Sequence, residues 1–362
     1  MTFHSIKKLA VSTNLLLMIS CGGSSGGGSD DSANLAIQAE QKAILSQFAN
    51  AVIVPTYDDL AAKSAAMKEA AALFAGNQTQ ANLDATRAAW IATRTPWERS
   101  EAFLFGPVDS NGYDPQMDDW PLDHSKLEQT ITANLTSPTD VATAETDVKG
   151  FHSIEFLLWG YNKSKTVASM TAAEDAYLTE LTQDHARITT LLRDSWTSGA
   201  SPYAKVLSSA GEAGNDKYAS TQSAVQEMFD AMVGISDEVA NSKISGPYKD
   251  QDSNKVESQF SYNSLVDFQD NITSLRNVYF GTLDGTVASA SISSFVKARN
   301  AALDAQVVAG ITASIAAIGV IPEPFRDSLK DPAAAPKIDA AITTINSLRN
   351  LLETQVRPVV LP

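Results

Sequence analysis

The chain has 362 residues, 44% hydrophobic and 19% charged, with 42 acidic side chains against 27 lysines and arginines and a formal charge of −15 at pH 7. That balance disfavours nucleic acid and anionic lipid headgroups as partners, and it suits cations. Cys21 is the single cysteine, so no disulfide forms within the chain, and the length allows one large domain or two ordinary ones.

Lys7 and Lys8 precede the apolar run from Leu9 to Ile19, which is too short to span a bilayer as a mature helix. A short basic segment followed by such a run reads as a secretory signal over residues 1–20. It closes on Met18-Ile19-Ser20-Cys21, which resembles a bacterial lipobox, whose cysteine is lipidated and becomes the mature N-terminus. The other reading is an ordinary signal with an incidental cysteine. Removing the signal takes two lysine charges from −15 and leaves −17. Gly22, where an aspartate would retain a lipoprotein in the inner membrane, points to the outer membrane, facing the periplasm, in a cell that has two. Residues 21–34, rich in glycine and serine, read as a flexible tether. No second apolar stretch reads as long enough to span.

Beyond the tether the pattern is helical: alanine is abundant and alternating runs are hard to find. Apolar residues recur at three- and four-residue spacing over Leu35 to Val54 and Asp58 to Phe74, with Asn77 as a stop. Asn82 to Phe105 follows, interrupted by Pro96, and Gly106 to Leu122 reads as a long functional loop without helical period. Helices are then expected over Asp147 to Tyr161, Ala172 to Ser198, Ser220 to Lys243 and Ser258 to Tyr279. Ser291 to Ala317, interrupted at Gly310, and Ala333 to Val356 complete the set. The fold class is all-α, read as two tandem four-helix-bundle-like domains over 35–205 and 206–362.

Gly150-Phe151-His152-Ser153-Ile154-Glu155 sets an imidazole and a carboxylate three residues apart on one helical face. The pair reads either as a metal or acid/base site, or as a buried histidine held by a local hydrogen bond. Trp90, Arg94, Trp97 and Glu101 fall on one stripe if Pro96 only bends its helix, with Glu98 one turn from Arg94. A guanidinium and a carboxylate between indoles must pair or serve a site; a structural Arg94–Glu98 or Arg94–Glu101 pair is the plainer reading. The loop supplies Asp109, Asp114, Asp118, Asp119 and Asp123, most of them expected to be solvated or capping. Glu257, Ser261 and Ser264 form a polar edge with Ser258 as a helix N-cap, and His185 sits on a polar helical face. No His-Glu-x-x-His helix or paired CxxC is present, so a conventional zinc protease site is not supported.

The Gly150–Glu155 motif, the run Arg94 to Phe103 leading to Gly106-Pro107, the Trp120-Pro121 pair, and Glu257 to Ser261 with Asp267, Asn271, Tyr279 and Gly281 together resemble the imelysin family. That family is also classed among the M75 metallopeptidases and is related to iron-regulated periplasmic proteins and to the iron-uptake component EfeO. The resemblance covers nearly the whole chain after the tether. It implies two helical bundles with the GxHxxE residues in a pocket between them. It makes His152 and Glu155 candidate metal ligands, with Arg94, Glu98, Glu101, Glu257 and Ser261 lining the same pocket. The function implied is binding of iron or an iron complex for uptake, with iron preferred to zinc, an envelope iron-transport partner, and membrane attachment through Cys21. The alternative implied is an M75-type metallopeptidase using the same His/Glu site.

Overall fold

The computed structural model describes residues 27–134 and 137–362; the signal, Cys21 and the tether up to residue 26 lie outside the described residues, and residues 27–34, expected as flexible tether, instead begin the helix Gly27–Phe48. The chain divides into a unit ending at Ile37 and a unit spanning Gln38–Pro362, and the second carries the site described below. Among the described residues every regular element is helical and none is a strand.

Local signals account for the helix ends. Val54–Gly76 opens with a proline in its first turn and stops at Asn77, whose N–H bonds the carbonyls of Leu73 and Phe74. Gln80–Glu98 is capped by Thr79, whose hydroxyl accepts from Asn82 N at 3.2 Å. Ala172–Thr197 opens with a reciprocal capping box between Thr171 and Glu174. Val54–Gly76 packs against both Gln80–Glu98 and Ala172–Thr197. Ser264–Phe280, Ala301–Gly319 and Ala335–Leu351 pack in sequence, and Thr221–Asp237 joins the first and last of these. The Arg94 helix, Gln80–Glu98, touches both Gly150–Trp159 and Ser264–Phe280, and so brings the two motif segments together. Its face of Trp90, Arg94 and Trp97 is fully buried. Each such aromatic contributes roughly 1.5–3 kcal/mol relative to exposure.

Several elements differ from the sequence expectation. Pro96 does not restart its helix, which runs on to Glu98 two residues later. The stretch 106–122 holds two short helices, Pro107–Ser110 and Tyr113–Asp118, each too brief to carry a period. Ser258 is not an N-cap: the helix starts at Ser264, and the Ser258 hydroxyl donates to Asp267 Oδ2 at 2.5 Å. The break near the C-terminus falls at Asn300, not Gly310, because the Asn300 side chain caps Ala301–Gly319 by accepting from Leu303 N at 3.0 Å. Gly310 instead admits Leu348, whose Cδ1 would lie 3.1 Å from an added Cβ. Ala301–Gly319 is also long and apolar enough to cross a membrane, at mean hydropathy 1.6, contrary to the expectation of no second such stretch. Here its apolar face, Leu303, Val307, Ile311 and Ile318, is buried, and the helix packs on Ser264–Phe280 and Ala335–Leu351.

His185 lies on no polar face. It is buried, with Ser64 Oγ 2.7 Å from Nδ1 and the Phe151 ring 4.2 Å away. Burial lowers its pKa from the ordinary 6.5 to about 4, against a partial upward pull from Asp118 and Asp184. The folded protein therefore keeps this ring neutral where the unfolded chain already binds a proton. Its contribution is intact above pH 6.5 and is lost as pH falls toward 4. Chemical denaturation of wild type and His185→Gln at about pH 7 and about pH 4 should show the wild type losing about 3 kcal/mol more on acidification. Equal losses would place the sensitivity in other groups.

Candidate metal centre

The site is organised by a close approach. Gly150 has φ +71°, and a Cβ there would lie 2.3 Å from the carbonyl oxygen of Met117. Only glycine lets the start of the His152 helix, Gly150–Trp159, press against the end of Tyr113–Asp118. That contact sets Asp118 beside His152, whose Nε2 lies 3.1 Å from Asp118 Oδ1. With the ring protonated this contact is a buried ion pair, and it raises the basicity of the imidazole. On its other side Nδ1 faces Glu155 Oε2 at 3.3 Å.

Glu155 has a second task. Its Oε1 accepts from Phe260 N at 3.0 Å, Ser261 N at 2.7 Å and Ser261 Oγ at 2.7 Å. The segment it holds reverses twice, at Ser258 (φ +50°) and Tyr262 (φ +64°), which brings Glu257 inward. The Trp120 ring covers His152 at 4.5 Å.

Arg94 lies at the centre with no exposed surface, pairing with Glu98 and Asp118, with Glu257 Oε1 at 2.8 Å and with Asp267 Oδ2 at 3.4 Å. Its guanidinium sits 4.8 Å from the Phe151 ring centroid and 5.8 Å from that of Trp90. Asp118 also accepts from Trp97 Nε1 at 2.6 Å. Lys243 Nζ lies 2.9 Å from Glu257 Oε2 and 3.9 Å from Glu98 Oε2.

The charges do not balance locally. Burial raises the pKa of Glu98 and Glu101 well above the carboxylate range despite Lys243 near both and Arg94 beside Glu98. Burial and Asp118 carry Asp114 up to about 7, and burial carries Asp267 up to about 6 against the pull of Arg94. Asp118 goes the other way: burial would raise it, but Arg94 and His152 hold it far below its ordinary value. Burial alone would lower His152, yet Asp118 and Glu155 raise it to about 9. Among the described residues, Arg94, Lys243 and, at neutral pH, the protonated His152 thus stand among Glu98, Glu101, Asp114, Asp118, Glu257 and Asp267, several of which burial pushes toward the protonated form.

Donor atoms of Asp118, His152 and Glu257 lie within 4.8 Å of one another, as do those of Glu98, Glu101 and Asp118. Such buried groups are able to coordinate a metal ion; imidazole with several carboxylates is a set that hard-leaning transition metals accept. The structure brings His152, Glu155, Arg94, Glu98, Glu257 and Ser261 together, with the half-buried Glu101 beside Glu98 and Asp118. Asp118, Asp267 and Lys243 belong with them; the sequence marks Asp267 only as part of the family resemblance and offers no sign of Lys243. The only signal for Asp118 was a carboxylate-rich loop.

Replacing Arg94 with leucine keeps bulk but leaves the converging carboxylates without their central cation. Loss of one partner from a buried ionic group costs about 3–5 kcal/mol. Urea denaturation should therefore show Arg94→Leu destabilised by about that amount, or unfolded. A loss below about 1 kcal/mol would mean the cluster is neutralised in another way.

The profile of the imelysin family, the M75 peptidases, matches residues 53–352. The chain is 32% identical to iron-regulated protein A of Synechococcus elongatus over 344 residues, 94% of this chain and 92% of that protein. A solved structure assigned as an iron-regulated protein A precursor, from Parabacteroides distasonis, is similar with a TM-score of 0.81 and 28% identity, covering 90% of this chain and 95% of the other. An imelysin-like protein from Psychrobacter arcticum shares the fold, with a TM-score of 0.73 and 16% identity over 89% of this chain and 96% of that one. On the profile match and the full-length relative, the chain belongs to the imelysin family.

Proposed function

We propose that this chain is a cell-envelope lipoprotein that binds iron, as the ion or in a complex, for uptake, with His152, Asp118 and Glu257 as the first ligands. The observation that carries this reading is the convergence of the buried His152 ring with carboxylate oxygens of Asp118 and Glu257, donor atoms all within 4.8 Å of one another. Metal-binding histidines commonly give their other ring nitrogen to a carboxylate, which sets the tautomer and orientation. Glu155 is placed to do that, and its Oε1 already accepts three donors. Its role in this reading is therefore to position His152 and the Glu257 segment, and a direct bond from Glu155 to the metal is the lesser role. Oxygen-rich ligation with one imidazole favours iron over a thiolate-seeking metal. The names of the relatives from Synechococcus elongatus and Parabacteroides distasonis, both iron-regulated protein A, point the same way.

The site also supports the two-bundle reading. Arg94, Glu98, Asp118, His152 and Glu155 precede the expected seam near residues 199–214, whereas Lys243, Glu257 and Asp267 follow it. In this picture the pocket closes where the bundles meet. Cys21 anchors the chain to the outer membrane through a glycine-rich tether, and a transport partner receives the iron. Zinc in the same ligands would give the M75-type peptidase chemistry, which needs a carboxylate free to act as base. The three donors on Glu155 Oε1 weigh against that use of it.

Anaerobic titration of the folded chain with ferrous ion, beside ferric citrate and zinc, tests the proposal. His152→Ala should abolish saturable iron binding. Glu155→Gln should weaken it by roughly 10–100-fold, the effect typical of an orienting partner. Iron binding untouched by His152→Ala would place the site elsewhere. Tight zinc binding with cleavage of unfolded protein, lost in Glu155→Gln, would favour the peptidase.

A further inference from the structure

The two cations of the cluster are held in different ways. Arg94 has no exposed surface, four carboxylate partners and aromatic faces beside it. Lys243 has one close partner, Glu257 Oε2 at 2.9 Å, and keeps 10% of its side chain exposed. It sits in the π-helical turn Glu238–Ile244, between Thr221–Asp237 and Ser245–Asp250. Such turns carry one residue more than the α-helical spacing and are frequent at functional sites. Four acids act on Lys243: Glu101, Glu257 and Glu98, and Glu238, which is exposed.

Glu257 is shared between the two cations: Oε1 serves Arg94 and Oε2 serves Lys243. An ion bound by Glu257 and Asp118 would meet the ammonium as a like charge at close range. Arg94 has no route out, whereas Lys243 has a flexible four-carbon stem and a partly open side. Resting on the iron-binding reading above, we propose that Lys243 is a tethered counter-cation that occupies the Glu257 and Glu98 carboxylates in the metal-free protein and is expelled toward solvent when metal enters. The exchange moves one ammonium out for one metal ion in and breaks no covalent bond. It raises a threshold that a multiply charged ion overcomes, because its attraction to each carboxylate exceeds that of an ammonium, and that a monovalent ion does not.

Ferrous titration of wild type, Lys243→Met and Lys243→Arg tests this. Methionine keeps the bulk of the stem without the charge. Removing a competing internal state raises apparent affinity by the fraction it had occupied, so Lys243→Met should bind at least about tenfold more tightly. Lys243→Arg should return to wild-type affinity or weaker. Unchanged or weaker binding by folded Lys243→Met overturns the proposal. Amine acetylation of the wild-type chain, read by peptide mass spectrometry, keeps the question open to test if that variant does not fold. Saturating ferrous ion should raise modification of Lys243 several-fold in wild type and not in His152→Ala. Iron binding with unchanged modification overturns the displacement and leaves the iron site standing; no iron binding by wild type overturns both.

Discussion

One buried guanidinium holds the site together. Arg94 gathers carboxylates from its own helix (Glu98), from the short helix after residue 106 (Asp118), from the segment ahead of Ser264–Phe280 (Glu257) and from that helix itself (Asp267). Each of these ions would cost several kcal/mol to bury alone. None of the four segments could present its carboxylate inward without that cation, and Arg94 could not be enclosed without them. Glu101 and Asp114 add to the same field, and burial pushes both toward the protonated form. A metal cation entering such a cluster would displace protons from its acids and from the imidazole.

Small backbone and hydrogen-bond devices set the geometry around that charge. The absent Cβ of Gly150 lets two helix ends meet, and the distance between His152 and Asp118 follows from it. Glu155 then links the His152 helix to the Glu257 segment through two backbone amides and a hydroxyl. The GxHxxE pattern thus reads as three tasks: an approach, a buried imidazole among carboxylates and a brace. Conservative changes at the third position would leave His152 and Asp118 in place and loosen their spacing.

What was legible in the sequence followed helical period. The stripe of Trp90, Arg94 and Trp97 lies on a regular helix, and its burial could be read from spacing. His152 and Glu155 are likewise neighbours on one regular turn. Asp118 was hidden among five aspartates in a stretch of one-turn helices, where no period says which side chain points inward. Asp123 in the same stretch does what was expected of the group and caps a helix, accepting from Lys126 N at 2.9 Å. Lys243 lies in a π-turn, where 3.6-residue spacing assigns the wrong face. Ser258 and His185 show the same limit from another side. A serine before a helix and a histidine among polar residues have ordinary local explanations, and only partners distant in sequence, Ser64 and Phe151 for the histidine, reveal their burial. The all-helical class was legible throughout because alanine content and amphipathic spacing recur along the chain.

The most direct test is an anomalous difference map at the iron edge from crystals of the chain grown or soaked with iron. The account predicts a single strong peak within bonding distance of His152 Nε2 and of carboxylate oxygens from Asp118 and Glu257, with Glu155 still bridging His152 and Ser261. A peak away from His152, or none at saturating iron while the Arg94 cluster stays intact, would contradict it and leave the cluster as architecture.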